Sequence, residues 1–124
     1  MFVSRRRFLF CFVVASVGFG GSSTTPNPVT SARELFSNDR SVREIRERYI
    51  RLYPAEADPE ILLAGLERSS PALAATLRSS DQRRLRSRAQ AQIRRDFAVN
   101  DVVTLDGWLL SRTEVRLATL AAIA

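Results

Sequence analysis

Apolar residues recur along most of this chain at steps of three and four, the spacing that gathers them on one side of an α-helix. Val42, Ile45, Tyr49 and Leu52 make one such face, Arg43, Glu44, Arg46, Glu47, Arg48 and Arg51 take the rest, and Pro54 ends the pattern. Ser41 and Glu44 stand at capping-box spacing, which predicts a helix over 42–53. Ser31 and Glu34 repeat the signature and predict a short helix after a polar, Pro-containing stretch at 22–30. Asp58-Pro59 and Ser70-Pro71 are helix starts of another kind. A side-chain oxygen caps the first turn, and Pro fills the first helical position, where a missing N–H costs nothing. They open a helix over 59–68 carrying Ile61, Leu62, Leu63 and Leu66, and a segment from Pro71 carrying Leu73 and Leu77. After a break at Ser79-Ser80-Asp81, the series Leu85, Ala89, Ile93 and Phe97 predicts a helix over 81–98.

The last quarter changes period. Val102-Val103-Thr104-Leu105 is apolar and β-branched, Asp106-Gly107 is a two-residue turn whose positions both tolerate positive φ, and Trp108-Leu109-Leu110 returns. Ser111 and Glu114 then give a third capping box, opening a helix with Val115, Leu117, Leu120, Ala121 and Ile123. Two strands alone are marginal in water, so the hairpin must pack on helices or join a partner's sheet. The expected fold is mainly α: a small helical domain over 41–124 with one C-terminal β-hairpin at about 102–110 before the last helix. A linker and short helix over 26–40 precede it, and a signal peptide over 1–25 comes first.

That last expectation rests on the N-terminus. Arg5, Arg6 and Arg7 supply a positive segment with no acid before Glu34, and Phe8 to Phe19 supplies an apolar run. The run falls short of the roughly 20 residues that a stable membrane span needs, and Gly18, Gly20 and Gly21 break it. A positive segment followed by a short apolar one is the layout of an export signal, cleaved here after about residue 20–25. Ser4, Arg5, Arg6, Phe8 and Leu9 resemble the bacterial twin-arginine motif at five of its six positions, with Phe10 where Lys is common. The chain is therefore expected in the periplasm, after transient contact with the membrane and the twin-arginine translocase. Cys11 lies inside the apolar run, and the large Phe10 before it does not suit lipid attachment.

Composition narrows the chemistry. All 19 basic residues are Arg, and removing Arg5, Arg6 and Arg7 leaves 16 against 13 acids, so the net charge falls from +6 to +3. Half of the basic excess thus belongs to the signal, and nucleic acid is not the expected partner. His is absent and the single Cys lies in the signal. Beyond residue 25 the chain therefore has no His or Cys metal cluster, no Ser-His-Asp or Cys-His pair and no disulfide. No cofactor and no catalytic residue are expected. The about 100 remaining residues suffice for one small domain.

Two features invite a functional reading. Arg83, Arg84, Arg86, Arg88, Arg94 and Arg95 give the 81–98 helix a broad basic face, which is either a solvated surface or a match for an acidic partner or anionic lipid. The Glu114 and Arg116 pair, near Thr113 and Trp108, is the most distinctive cluster, and Trp108, Arg112, Glu114 and Arg116 are the candidate partner-binding residues. Glu114 already has a capping role, and Trp108 also suits the space between hairpin and helix. Glu56, Asp58 and Glu60 are carboxylates accounted for by helix starts, and Gly65 stands alone in a helical pattern.

The segment Gly107-Trp108-Leu109-Leu110-Ser111-Arg112-Thr113-Glu114-Val115-Arg116-Leu117 resembles the ending of a group of small bacterial twin-arginine-signal proteins, and Tyr53-Pro54-Ala55-Glu56-Ala57-Asp58 resembles the same group. A more distant likeness, through the signal and the small helical body, is to the small twin-arginine subunits of periplasmic flavoprotein dehydrogenases. That resemblance implies an accessory subunit which folds on a cofactor-loaded oxidoreductase lacking its own signal and carries it across. A free-standing periplasmic helical adaptor is the alternative.

Overall fold

Each helix start marked by an Asx or Ser residue before Pro opens a helix in the computed structural model, which describes residues 27–79 and 81–123 and the backbone of Ser4 and Arg5. Arg6, Phe8 and Leu9 of the export motif, with the rest of the expected signal, lie outside the described residues. The order is β1 (Ser4–Arg5), α1 (Pro28–Arg33), α2 (Asp39–Leu52), a 3₁₀ turn (Pro54–Ala57), α3 (Pro59–Ser69), α4 (Pro71–Leu77), α5 (Gln82–Ala98), β2 (Val102–Leu105), β3 (Trp108–Ser111) and α6 (Arg112–Ala121). The architecture is mainly helical, with a hairpin before the last helix.

Local chemistry accounts for most boundaries. The Asp58 carboxylate accepts from Glu60 N at 2.9 Å, and the Ser70 hydroxyl from Leu73 N at 3.3 Å, each with Pro at the first helical position. Ser111 and Glu114 form the expected reciprocal capping box, at 2.9 and 3.1 Å. β2 and β3 pair antiparallel, Val102 opposite Ser111 and Leu105 opposite Trp108. Between them Asp106 (φ 47°) and Gly107 (φ 81°) both take the left-handed backbone that a two-residue hairpin turn requires. β1 lies parallel to β3 at its other edge.

Two starts differ from the sequence expectation. α1 is capped by Asn27, whose side chain accepts from Val29 N, and α2 by Asn38, which accepts from both Arg40 N and Ser41 N. Ser31 and Ser41 therefore lie inside their helices. In each case an earlier Asn reaches the free N–H groups first, and at α1 Pro28 already holds the helical φ. Residues 28–36 join the core: Ala32 is fully buried, and Leu35 and Phe36 nearly so.

α6 is the centre of the fold. Thr113, Glu114, Val115, Leu117, Ala118, Thr119, Leu120 and Ala121 are buried, and α1, α2, α3, α5 and the hairpin all pack on it. A helix buried nearly all round belongs inside a domain. The apolar faces of α2 (Val42, Ile45, Tyr49), α3 (Leu62, Leu66) and α5 (Leu85, Ala89) close over it, and α4 (Leu73, Leu77) completes the core by packing on α3, α5 and α1. Among the described residues no helix is long and apolar enough to cross a membrane.

The end of α5 corrects the predicted face. Asp96 takes the core-facing position at 2% exposure, and Phe97 is half-buried. The Asp96 carboxylate accepts from Thr113 N at 2.9 Å and from Gln92 Nε2 at 3.0 Å. It thus supplies a second cap to α6, satisfying a helix-start N–H that Ser111 does not reach.

Candidate functional site

Only two residues of α6, Arg112 and Arg116, are not buried. They stand four apart and so share one face of the helix, along which the central element reaches the surface. A cleft of about 450 Å³ opens there. The 3₁₀ turn contributes Glu56, α3 contributes Gly65, Arg68 and Ser69, and Tyr53 and Asp101 complete the wall.

The arrangement of Arg116 follows from a missing side chain. A Cβ on Gly65 would stand 2.9 Å from Arg116 Cζ, so a residue without one lets the guanidinium lie against α3. There Nε donates to Glu56 Oε1 at 2.9 Å, and Nη1 donates to the Gly65 carbonyl at 3.3 Å and the Ser69 hydroxyl at 3.2 Å. Both charged side chains are largely shielded, 14% and 13% exposed, so the pair joins α6, α3 and the 3₁₀ turn. Arg112 is held differently. Its Nε lies 3.5 Å from Asp101 Oδ1, its Nη1 donates to the Tyr49 hydroxyl at 3.4 Å, and its Cζ sits 5.0 Å from the centre of the Tyr53 ring, a cation–π arrangement. The Tyr49 and Tyr53 rings are 4.9 Å apart and tilted by 38°. Burial works against the Arg112 charge, but the Tyr49 and Tyr53 hydroxyls outweigh it and hold the guanidinium above its ordinary proton affinity.

Burial pushes the Tyr49 hydroxyl up from 10.0, against the opposing pull of Arg112. The folded chain therefore holds this proton more tightly than the unfolded chain, so the stability it contributes is complete below about pH 10 and falls as pH rises beyond it. The chain has two tyrosines and no Lys, so a Tyr53→Phe variant leaves Tyr49 as the single tyrosine signal. Its tyrosinate absorbance is expected to appear above the free-tyrosine range, with the urea midpoint falling over the same interval. A midpoint unchanged by strong alkali would contradict this.

The four candidate residues separate. Arg112 and Arg116 meet at the cleft, whereas Glu114 is 1% exposed and spent on the capping box. Arg116 pairs with Glu56 rather than Glu114, because residues two apart on a helix point to roughly opposite sides. Trp108 lines a separate groove of about 150 Å³ between α2 and the hairpin, with Ile45, Arg48 and Leu105, and packs on the core from there. The turn of that hairpin is tied to α2 by an ion pair between Arg48 and Asp106. Glu56, read as a helix-start carboxylate, is the partner of Arg116, while Asp58 is a true cap. Tyr53, Arg68 and Asp101 escaped the sequence reading. The available signal was Arg112 and Arg116 at a helical step in an otherwise apolar segment, with a lone Gly in another helix to receive one of them.

On α5, Arg88 is spent on structure. Its Nη1 donates to the Ala72 carbonyl at 3.0 Å and to the Thr76 hydroxyl at 2.7 Å, tying α5 to α4. Arg83, Arg84, Arg94 and Arg95 remain exposed on the outer face. Among the described residues no three His, Cys, Asp or Glu side chains come together in a way that could hold a metal ion. No protein-family model, curated protein or solved structure matches this chain.

Proposed function

We propose that this chain is an exported, non-catalytic accessory subunit that binds a periplasmic oxidoreductase through the cleft where α6 surfaces and accompanies it along the twin-arginine route. One observation supports the binding part above the others. Among the described residues, the large apolar side chains left exposed are Leu52 (58%), Tyr53 (38%), Ile61 (41%) and Val99 (63%), and all lie in or beside segments that line the cleft. Tyr53 lines it, Leu52 precedes Tyr53, Ile61 falls between Glu56 and Gly65, and Val99 is two residues before Asp101. Exposed apolar groups beside Tyr and Arg have the composition of a protein-binding centre, where aromatic and Arg anchors carry most of the binding energy. The cleft polar groups are largely occupied in holding one another, which suits a recognition surface rather than a reaction centre.

The test is co-purification from periplasm with the tagged full chain. A cofactor-bearing oxidoreductase without its own signal is expected to accompany the wild type. A Leu52→Asp/Ile61→Asp double variant is expected to recover at least about tenfold less of it, with an unchanged helical circular dichroism spectrum, since both side chains are exposed. Changing Arg5 and Arg6 to Lys is expected to stop delivery of both proteins. A solitary monomer in the periplasm would overturn the accessory role, and unchanged delivery of the Lys variant would overturn the twin-arginine route.

A further inference from the structure

The cleft holds three guanidinium groups and two carboxylates, and the pairing is uneven. Glu56 serves Arg116 at 2.9 Å and Asp101 serves Arg112 at 3.5 Å, whereas Arg68, exposed on the last turns of α3, takes part in neither ion pair. Three positive charges against two negative ones leave the site with one unit of uncompensated positive charge. The Nε and Nη1 of Arg116 are committed to Glu56, Gly65 and Ser69, and its Nη2 donates to none of them. The Tyr53 ring lines the same cleft, 5.0 Å from Arg112 Cζ, with exposed Leu52 next to it in sequence and exposed Ile61 one turn before Gly65 on α3.

This combination selects among anions. A phosphate ester would bring about two negative charges toward Glu56 and Asp101, which already occupy the cleft, and would meet like-charge repulsion. A single carboxylate matches the one spare charge and the fork geometry of Arg donors. The aromatic and aliphatic rim then has a role of its own, covering an apolar group attached to that carboxylate. A volume of about 450 Å³ has room for one amino-acid residue and its neighbouring backbone.

We propose that the cleft recognises a single carboxylate borne beside an apolar side chain, in the form of the C-terminal residue of a partner polypeptide. The proposal rests on the partner-binding reading above and gives that surface its recognition chemistry.

The experiment titrates the full chain with N-acetylleucine and with N-acetylleucinamide, following arginine side-chain NMR signals. The acid is expected to shift Arg68 and Arg116 saturably, and the amide to bind at least about tenfold more weakly, the factor expected for one charge-assisted hydrogen bond. Arg68→Ala is expected to weaken the acid by about tenfold. Arg83→Ala, an exposed arginine on α5, is expected to change nothing and controls for net charge. Equal responses to acid and amide, or none, would overturn the site. Phenylacetate binding more tightly than a peptide ending in Leu would keep the carboxylate chemistry and overturn the polypeptide source. Recovery of an oxidoreductase without any N-acetylleucine response would overturn this inference while leaving the accessory role standing. An N-acetylleucine response without an oxidoreductase partner would do the reverse.

Discussion

Replacing Arg116 with Ala is expected to lower the unfolding free energy by about 3 kcal/mol. The loss comes less from the attraction removed than from what is left behind. Glu56, 13% exposed, would keep its charge without a cation beside it, and the Gly65 carbonyl and Ser69 hydroxyl would lose a donor. Glu56→Gln keeps an acceptor for Arg116 Nε and is expected to cost only about 1 kcal/mol. The two effects are coupled, so Arg116→Ala made in a Glu56→Ala background is expected to cost at least about 1 kcal/mol less than in the wild type. Urea unfolding with an unchanged slope measures each difference. A loss below about 0.5 kcal/mol for Arg116→Ala would place the pair with ordinary surface ion pairs and remove its role as a strut.

Asp96→Ala is expected to cost a similar amount, about 2–3 kcal/mol, by a different route. Its carboxylate is 2% exposed and is the acceptor for Thr113 N at the first turn of the most buried helix. Ala would strand that N–H where water is excluded and remove the acceptor of the part-buried Gln92 amide. Asn retains a carbonyl oxygen for Thr113 and is expected to recover about half of the loss, with the remainder reflecting the charge at the helix start. A urea midpoint for Asp96→Ala equal to that of the wild type would show that α6 does not need its second cap.

The parts of this molecule legible in its sequence are those whose cause is local. Asp58-Pro59, Ser70-Pro71, Asp106-Gly107 and the Ser111–Glu114 box each act within four residues, and each does in the fold what its chemistry predicts. Where two local signals competed, at Asn27 and Ser31 and at Asn38 and Ser41, spacing did not rank them, because the choice depends on how far back the chain can stay helical while burying Ala32 or Val42. The cleft was half visible. Arg112 and Arg116 stood among the candidate partner-binding residues, but the partner of Arg116 is 60 positions away. In a chain with 19 arginines and 13 acids, charge alone does not say which pairs meet. Asp96 was hidden for a related reason: it sits at the helical step of a core residue, and the apolar Phe97 beside it was the more obvious occupant.

The central position of α6 also governs the timing of assembly. This helix is made after every element that packs on it, so a growing chain has the contacts of α4 with α3 and α5 to form, but the faces of α1, α2, α3 and α5 that meet α6 stay open until residues 112–121 are made. Contacts between α1 and α6 span some eighty residues of intervening chain, a separation whose closure entropy must be met in one late step. The α3–α4–α5 contacts can therefore form first, and the core closes only when α6 joins them.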